Sequence, residues 1–142
     1  GFWKDDYIIA YFATLIGLIF NSATRGDSTR EERGSALMVV FEKLCPEDSQ
    51  EVLSKFNALA RSPTDDWERG NINAANVFGV MHGILKPEFE NDPDIIKAKE
   101  IAPKLKSQSL ELGNESDDRS SVTAALSNIY MVEYVNEKFR NN

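Results

Sequence analysis

A chain of 142 residues is about the size of one ordinary domain, long enough to bury a real core without disulfides or metals. Its 42% hydrophobic and 27% charged residues exclude disordered and fibrous classes, and a net charge of −7 leaves no positive footprint for a nucleic-acid backbone. The single Cys45 excludes an intrachain disulfide framework and points to a reducing, cytoplasmic setting.

The numbering opens on Gly1 rather than Met, so further natural residues upstream are expected, with or without a signal or membrane anchor. Phe2, Trp3 and Lys4 have the composition of an interfacial aromatic anchor. Asp5 and Asp6 fit better as the acidic start of a helix, one of them near its N-cap. Residues 7–20, YIIAYFATLIGLIF, then run fourteen positions without a charged or strongly polar side chain. That is short of the roughly 20 needed to cross a bilayer, and a helix hydrophobic all round has to be enclosed. The stretch is therefore expected as the buried central helix, about 6–24, of an all-α single-domain bundle of five to six helices. One arc of it, Ala10, Ala13, Thr14, Gly17, Asn21 and Thr24, is thin enough for another backbone to approach closely.

A capping box at Ser28 and Glu31 starts the second helix, which ends at Cys45 before Pro46 and turns Leu37, Val40, Phe41 and Leu44 inward. The third, about 48–61, buries Val52, Leu53, Phe56, Leu59 and Ala60 and is stopped by Ser62 and Pro63. Thr64 caps the fourth, with Asp65 and Asp66 in its first turn, and the pattern carries it to Lys86 unless Gly70 and Asn71 split it. Trp67, Ala74, Val77, Phe78, Val80, Met81, Ile84 and Leu85 face inward there, while Ala75, Gly79 and Gly83 lie beside Asn71, Asn76 and His82. Residues 86–93 form the longest loop, pinned by Phe89. Asp92 caps a fifth helix with Pro93 at its first position, which Pro103 breaks or kinks, a short continuation to Leu112 being ended by Gly113. A polar linker at 114–118 leads to a last helix, about 117–139, with Val122, Ala125, Leu126, Ile129, Val132, Val135 and Phe139 inward. No sustained alternating run predicts a sheet.

Few residues gather in a pattern that carries chemistry. Positions 21–32 have the length of a calcium-binding loop, with Gly26 sixth and Glu32 twelfth, but Ala23 and Arg25 stand where carboxylates should coordinate. This helix, glycine turn and glutamate pair resembles the layout of the TerB-like helical domains, in which an aspartate precedes that glycine; Arg25 stands there here, and no site residue is carried over. Asp65, Asp66, Glu68 and His82 include metal-ligating groups, yet Glu68 and His82 lie about 21 Å apart along a helix. No metal, cofactor or catalytic residue is assigned. His82, the only histidine, is expected as a neutral hydrogen-bonded group in a tight helix contact. Cys45, at a helix C-terminus, is a poor nucleophile. Lys97, Lys99, Lys104 and Lys106 read as a water-facing helix side. Tyr130, Met131 and Tyr134 lie off the inward arc of the last helix and are expected at a homodimer or partner interface, the alternative being that the preceding loop packs over them.

Two functions follow. The first is a non-enzymatic protein-interaction or structural module working with a protein partner or as a homo-oligomer, with no nucleic acid and no membrane span. The alternative is a small-ligand-binding or metal-dependent enzyme using an inter-helix cleft near Asp65, Asp66 and His82. The small-residue faces of the first and fourth helices bear on the choice. A close contact between them is expected; if they do not meet, Gly79 floors a groove with Asn76 and His82 as its ligand-binding residues.

Overall fold

The computed structural model describes residues 2–111 and 118–139, with side chains over 2–103 and 120–139. The expected stop at Gly113, the linker at 114–117 and the side chains of Lys104 and Lys106 lie outside the described residues. Within them the fold is all-α, with no strand: α1 (Asp6–Ala23), α2 (Arg30–Leu44), α3 (Ser49–Arg61), α4 (Asp65–His82), α5 (Pro93–Glu111) and α6 (Asp118–Phe139), plus 3₁₀ turns at Phe2–Lys4 and Pro87–Phe89. The chain forms two compact units, Gly1–Ala75 and Asn76–Asn142.

In the first unit, Asp5 caps α1, its buried carboxylate accepting from the N–H groups of Tyr7 at 2.9 Å and Ile8 at 3.3 Å. Lys55 of α3 pairs with Asp6 at 3.0 Å and donates to the Lys4 carbonyl, while the Thr64 hydroxyl donates to Asp6 at 2.9 Å. Lys4 pairs with Glu51 at 2.8 Å and Asp48 at 3.5 Å, and the hydrogen bond to Glu51 does most to hold its ammonium above the ordinary lysine range. These contacts gather α3 and the start of α4 around the start of α1. Ile9, Ala10 and Ala13 join Leu37, Phe41, Val52, Leu59 and Trp67 in one core.

The enclosure of α1 expected along its whole length stops halfway. Tyr7 through Tyr11 and Ala13 are buried, but 14–20 are only half-covered and Ile19 is 42% exposed. Within the first unit Gly70 seats α4 against α1: a Cβ at Gly70 would stand 2.5 Å from the Tyr7 carbonyl oxygen and 2.9 Å from Ala10 Cβ, whereas one at Gly17 would meet nothing within 4 Å. One turn further along α1, the Thr14 hydroxyl donates to the Asn71 side-chain oxygen. By length and composition α1 is the one helix among the described residues long and apolar enough to cross a membrane, with mean hydropathy 1.4. Its first half is nevertheless core.

Two backbone turns decide where the helices stop. At the end of α1 the Gly26 N–H donates to the Asn21 carbonyl at 2.8 Å and the Arg25 N–H to Ser22 at 3.0 Å, with φ of 56° at Arg25 and 79° at Gly26. The capping box of α2 then falls one residue later than expected, on Thr29 and Glu32, which exchange bonds of 3.1 and 3.2 Å. Both four-residue patterns are available in the sequence. Ser28 is taken instead by α1: its hydroxyl donates to the Asn21 side chain at 2.8 Å, and Arg33 holds its carbonyl at 2.7 Å.

In the second unit the same kind of turn ends α4 at His82, short of the expected Lys86. Ile84 N–H donates to the Gly79 carbonyl at 2.8 Å and Gly83 N–H to Val80 at 3.3 Å, with Gly83 at φ 68°. This folds Leu85 back onto the helix, so that a Cβ on Gly79 would lie 3.2 Å from Leu85 Cα. Asp92 caps α5, accepting from Asp94 at 2.9 Å and Ile95 at 3.4 Å. The helix continues through Pro103, which removes one internal hydrogen bond without ending it. α5 and α6 pack together, and Ile95, Ala98 and Ala102 are buried with Ala125, Leu126, Ile129, Tyr130 and Tyr134.

The inward arc of α6 is therefore rotated from the expected one. Tyr130 and Tyr134 are buried, Met131 is half-buried, and Val132 and Phe139 face water. Leu126, Tyr130 and Tyr134 recur every four residues beside Ala125 and Ile129, forming a single stripe that Val132 leaves. Burial of Tyr130 is compatible with its hydroxyl because Asn76 donates to it at 3.2 Å.

Candidate functional site

The sequence-nominated ligand residues are His82, Asn76 and Gly79, and the second unit does contain a groove there, of about 270 Å³. Gly79 and Val80 of α4 form its floor, with Gly83 and Leu85 from the turn beyond. Lys99 of α5 and Val122 of α6 close the sides, and Glu90 completes the lining. The walls are apolar with one acid and one base, both exposed.

Only one of the three nominated residues reaches this groove. Asn76 is buried and spends its amide on Tyr130. His82 is neither buried nor held in a helix contact: it is the last residue of α4, exposed, with its ring 4.3 Å from that of Phe78. The early stop of α4 places it at a helix end instead of a helix face.

Asp65 and Asp66 stand in the first turn of α4, in the first unit, and His82 is its last residue, in the second. No group of three histidine, cysteine or carboxylate side chains is placed to hold one ion among the described residues. Cys45 is buried, its thiol donates to the Phe41 carbonyl at 3.3 Å, and burial, helped by Asp48, pushes it above its ordinary range. A thiol so placed is a packed side chain and not a nucleophile. Tyr130 and Tyr134, expected at an interface, lie inside the second unit.

A larger surface feature lies in the first unit, where α2 and the end of α1 enclose an open groove of about 770 Å³. Phe20, Ala36, Val39 and Val40 supply its apolar lining, and Thr29, Glu31, Glu32 and Ser35 its polar lining. Nearby apolar side chains are left in water: Ile19 is 42%, Met38 45% and Val39 52% exposed. Leu44, expected inward, is 42% exposed as well. A reading that turned α2 into an ordinary one-faced helix missed this. The signal was present in Ala36-Leu37-Met38-Val39-Val40-Phe41, since six apolar residues in a row, at 100° each, pass right round a helix and cannot all face one core.

No protein-family model matches this sequence, and neither the curated proteins nor the solved structures it was compared with provide a match.

Proposed function

We propose that this chain is a non-enzymatic α-helical protein-interaction module that docks a partner on the α1–α2 groove. One observation carries the reading: Val39, 52% exposed, lines this groove with Phe20, Ala36 and Val40, and Ile19 and Met38, the chain neighbours of two of these lining residues, are exposed as well. Contiguous exposed apolar surface with a polar rim is what interaction sites present. A photocrosslinking residue at Val39 tests it. A discrete adduct is expected from that position and none from Glu100, an exposed site in the second unit. Adducts of the chain with itself would identify a homo-oligomer, whereas equal yields from both positions would defeat the reading.

The groove at Gly79 supports a second reading, small-ligand binding. At about 270 Å³ it has space for a small molecule, with Glu90 and Lys99 offering opposite charges beside an apolar floor. A saturable thermal shift with a small ligand, lost in Lys99→Ala, would favour it. This reading uses none of Asp65, Asp66 and His82.

A further inference from the structure

We propose that the occupant of the α1–α2 groove is an amphipathic helix of about three turns, bearing lysine or arginine, from a different polypeptide. The inference rests on the interaction reading above and adds the chemistry of the partner. Glu32, Ala36, Val39 and Val40 are spaced by three and four along α2, so they form one stripe. The lining runs from Thr29 to Val40, about 16 Å at 1.5 Å per residue. A helix surface has no free strand edge for an extended peptide, because its backbone groups are paired within the helix. A second helix can lay its own ridge of side chains along such a stripe.

Charge then selects the partner. The charged side chains that line the groove are Glu31 and Glu32, both exposed and both acidic, Glu32 also accepting from the Thr29 N–H in the capping box. Arg30 does not line it, and the guanidinium of Arg33 is turned to the carbonyl and hydroxyl of Ser28 at 2.7 and 3.1 Å. A second copy of this chain would bring another −7 and, across a two-fold axis, the same pair of glutamates. An anionic membrane is repelled by the same two carboxylates. A cationic helix meets both requirements, apolar along the stripe and positive opposite its acidic end.

The test titrates the full chain, by fluorescence anisotropy, with a labelled helical peptide of about four turns. The peptide carries leucines at three- and four-residue spacing and lysines elsewhere, and its counterpart has glutamate for lysine. The lysine peptide is expected to bind about tenfold more tightly, with the preference shrinking as salt rises. Val39→Asp should weaken it about tenfold, and Glu31→Lys should weaken it while strengthening the glutamate peptide. Both sites are exposed, so the melting temperature should hold; if Val39→Asp unfolds, Val39→Ser replaces it. Equal binding of both peptides, lost in Val39→Asp, would overturn the cationic partner and leave the interaction module standing. No binding, or binding indifferent to Val39, would overturn both. Self-association at pH 7 and low salt that Val39→Asp abolishes would make a second copy the occupant, and Val39-dependent binding to phosphatidylcholine vesicles would make it lipid; either overturns the proposal.

Discussion

Arg25 holds φ at 56° in the turn that ends α1, a left-handed conformation that costs a residue with a Cβ about 1 kcal/mol and glycine almost nothing. Arg25→Gly is therefore expected to raise stability by roughly 0.5–1 kcal/mol in a urea unfolding curve; an unchanged or lower midpoint would show that the arginine side chain contributes more than its backbone costs. The glycines of α4 behave oppositely. Gly70→Ala puts a methyl 2.5 Å from the Tyr7 carbonyl oxygen, between two rigid helices, and should destabilise by more than about 2 kcal/mol. Gly79→Ala meets Leu85 at 3.2 Å, where a loop can yield and the gain in helix propensity offsets the contact, so its cost should stay near or below about 1 kcal/mol. The reverse order would place the tight contact at the wrong glycine. That some small-residue face of α1 needs a close neighbour is legible from Ala10 and Ala13. Which glycine supplies it is not, because Gly79 and Gly83 are accounted for by a turn, and periodicity carries no record of φ.

Element boundaries, by contrast, were largely written in the chain wherever a single chemistry competes for a position. Asp5, Asp92 with Pro93, and the stop before Pro46 each lie where capping and proline geometry place them. The capping box of α2 slipped by one because Ser28 and Thr29 offer the same pattern, and the tie is broken by Asn21 and Arg33. Faces were less legible than ends. In α6 the stripe of aliphatic residues suggested that the tyrosines faced outward, yet their rings bury the most area and a hydrogen-bonded hydroxyl carries little penalty inside. Tyr134, 1% exposed, thus belongs to the core. Tyr134→Ala should cost about 3 kcal/mol or more in thermal unfolding and leave sedimentation unaltered. A parent-like melting temperature with altered association would restore it to a surface role.

The whole molecule combines a net charge of −7 at pH 7, an isoelectric point near 4.8 and the uncovered α1–α2 face. These act against each other. At neutral pH any two copies that bring their grooves together also bring together Glu31, Glu32 and the excess negative charge, which opposes the contact that Ile19, Met38 and Val39 favour. Lowering the pH toward 4.8 removes the net repulsion without removing any apolar area. The molecule is therefore expected to sediment as a monomer at pH 7 and low salt, and to form larger species as the pH approaches 5. Salt at pH 7 should reproduce part of the effect, because screening shortens the reach of the repulsion from about 10 Å at 0.1 M to about 3 Å at 1 M. Val39→Asp, which keeps a charge in the groove, should suppress the association at both conditions while the far-ultraviolet spectrum stays helical. Association of equal strength at pH 7 and pH 5, or association that Val39→Asp leaves untouched, would show that neither this face nor its charge governs how copies meet.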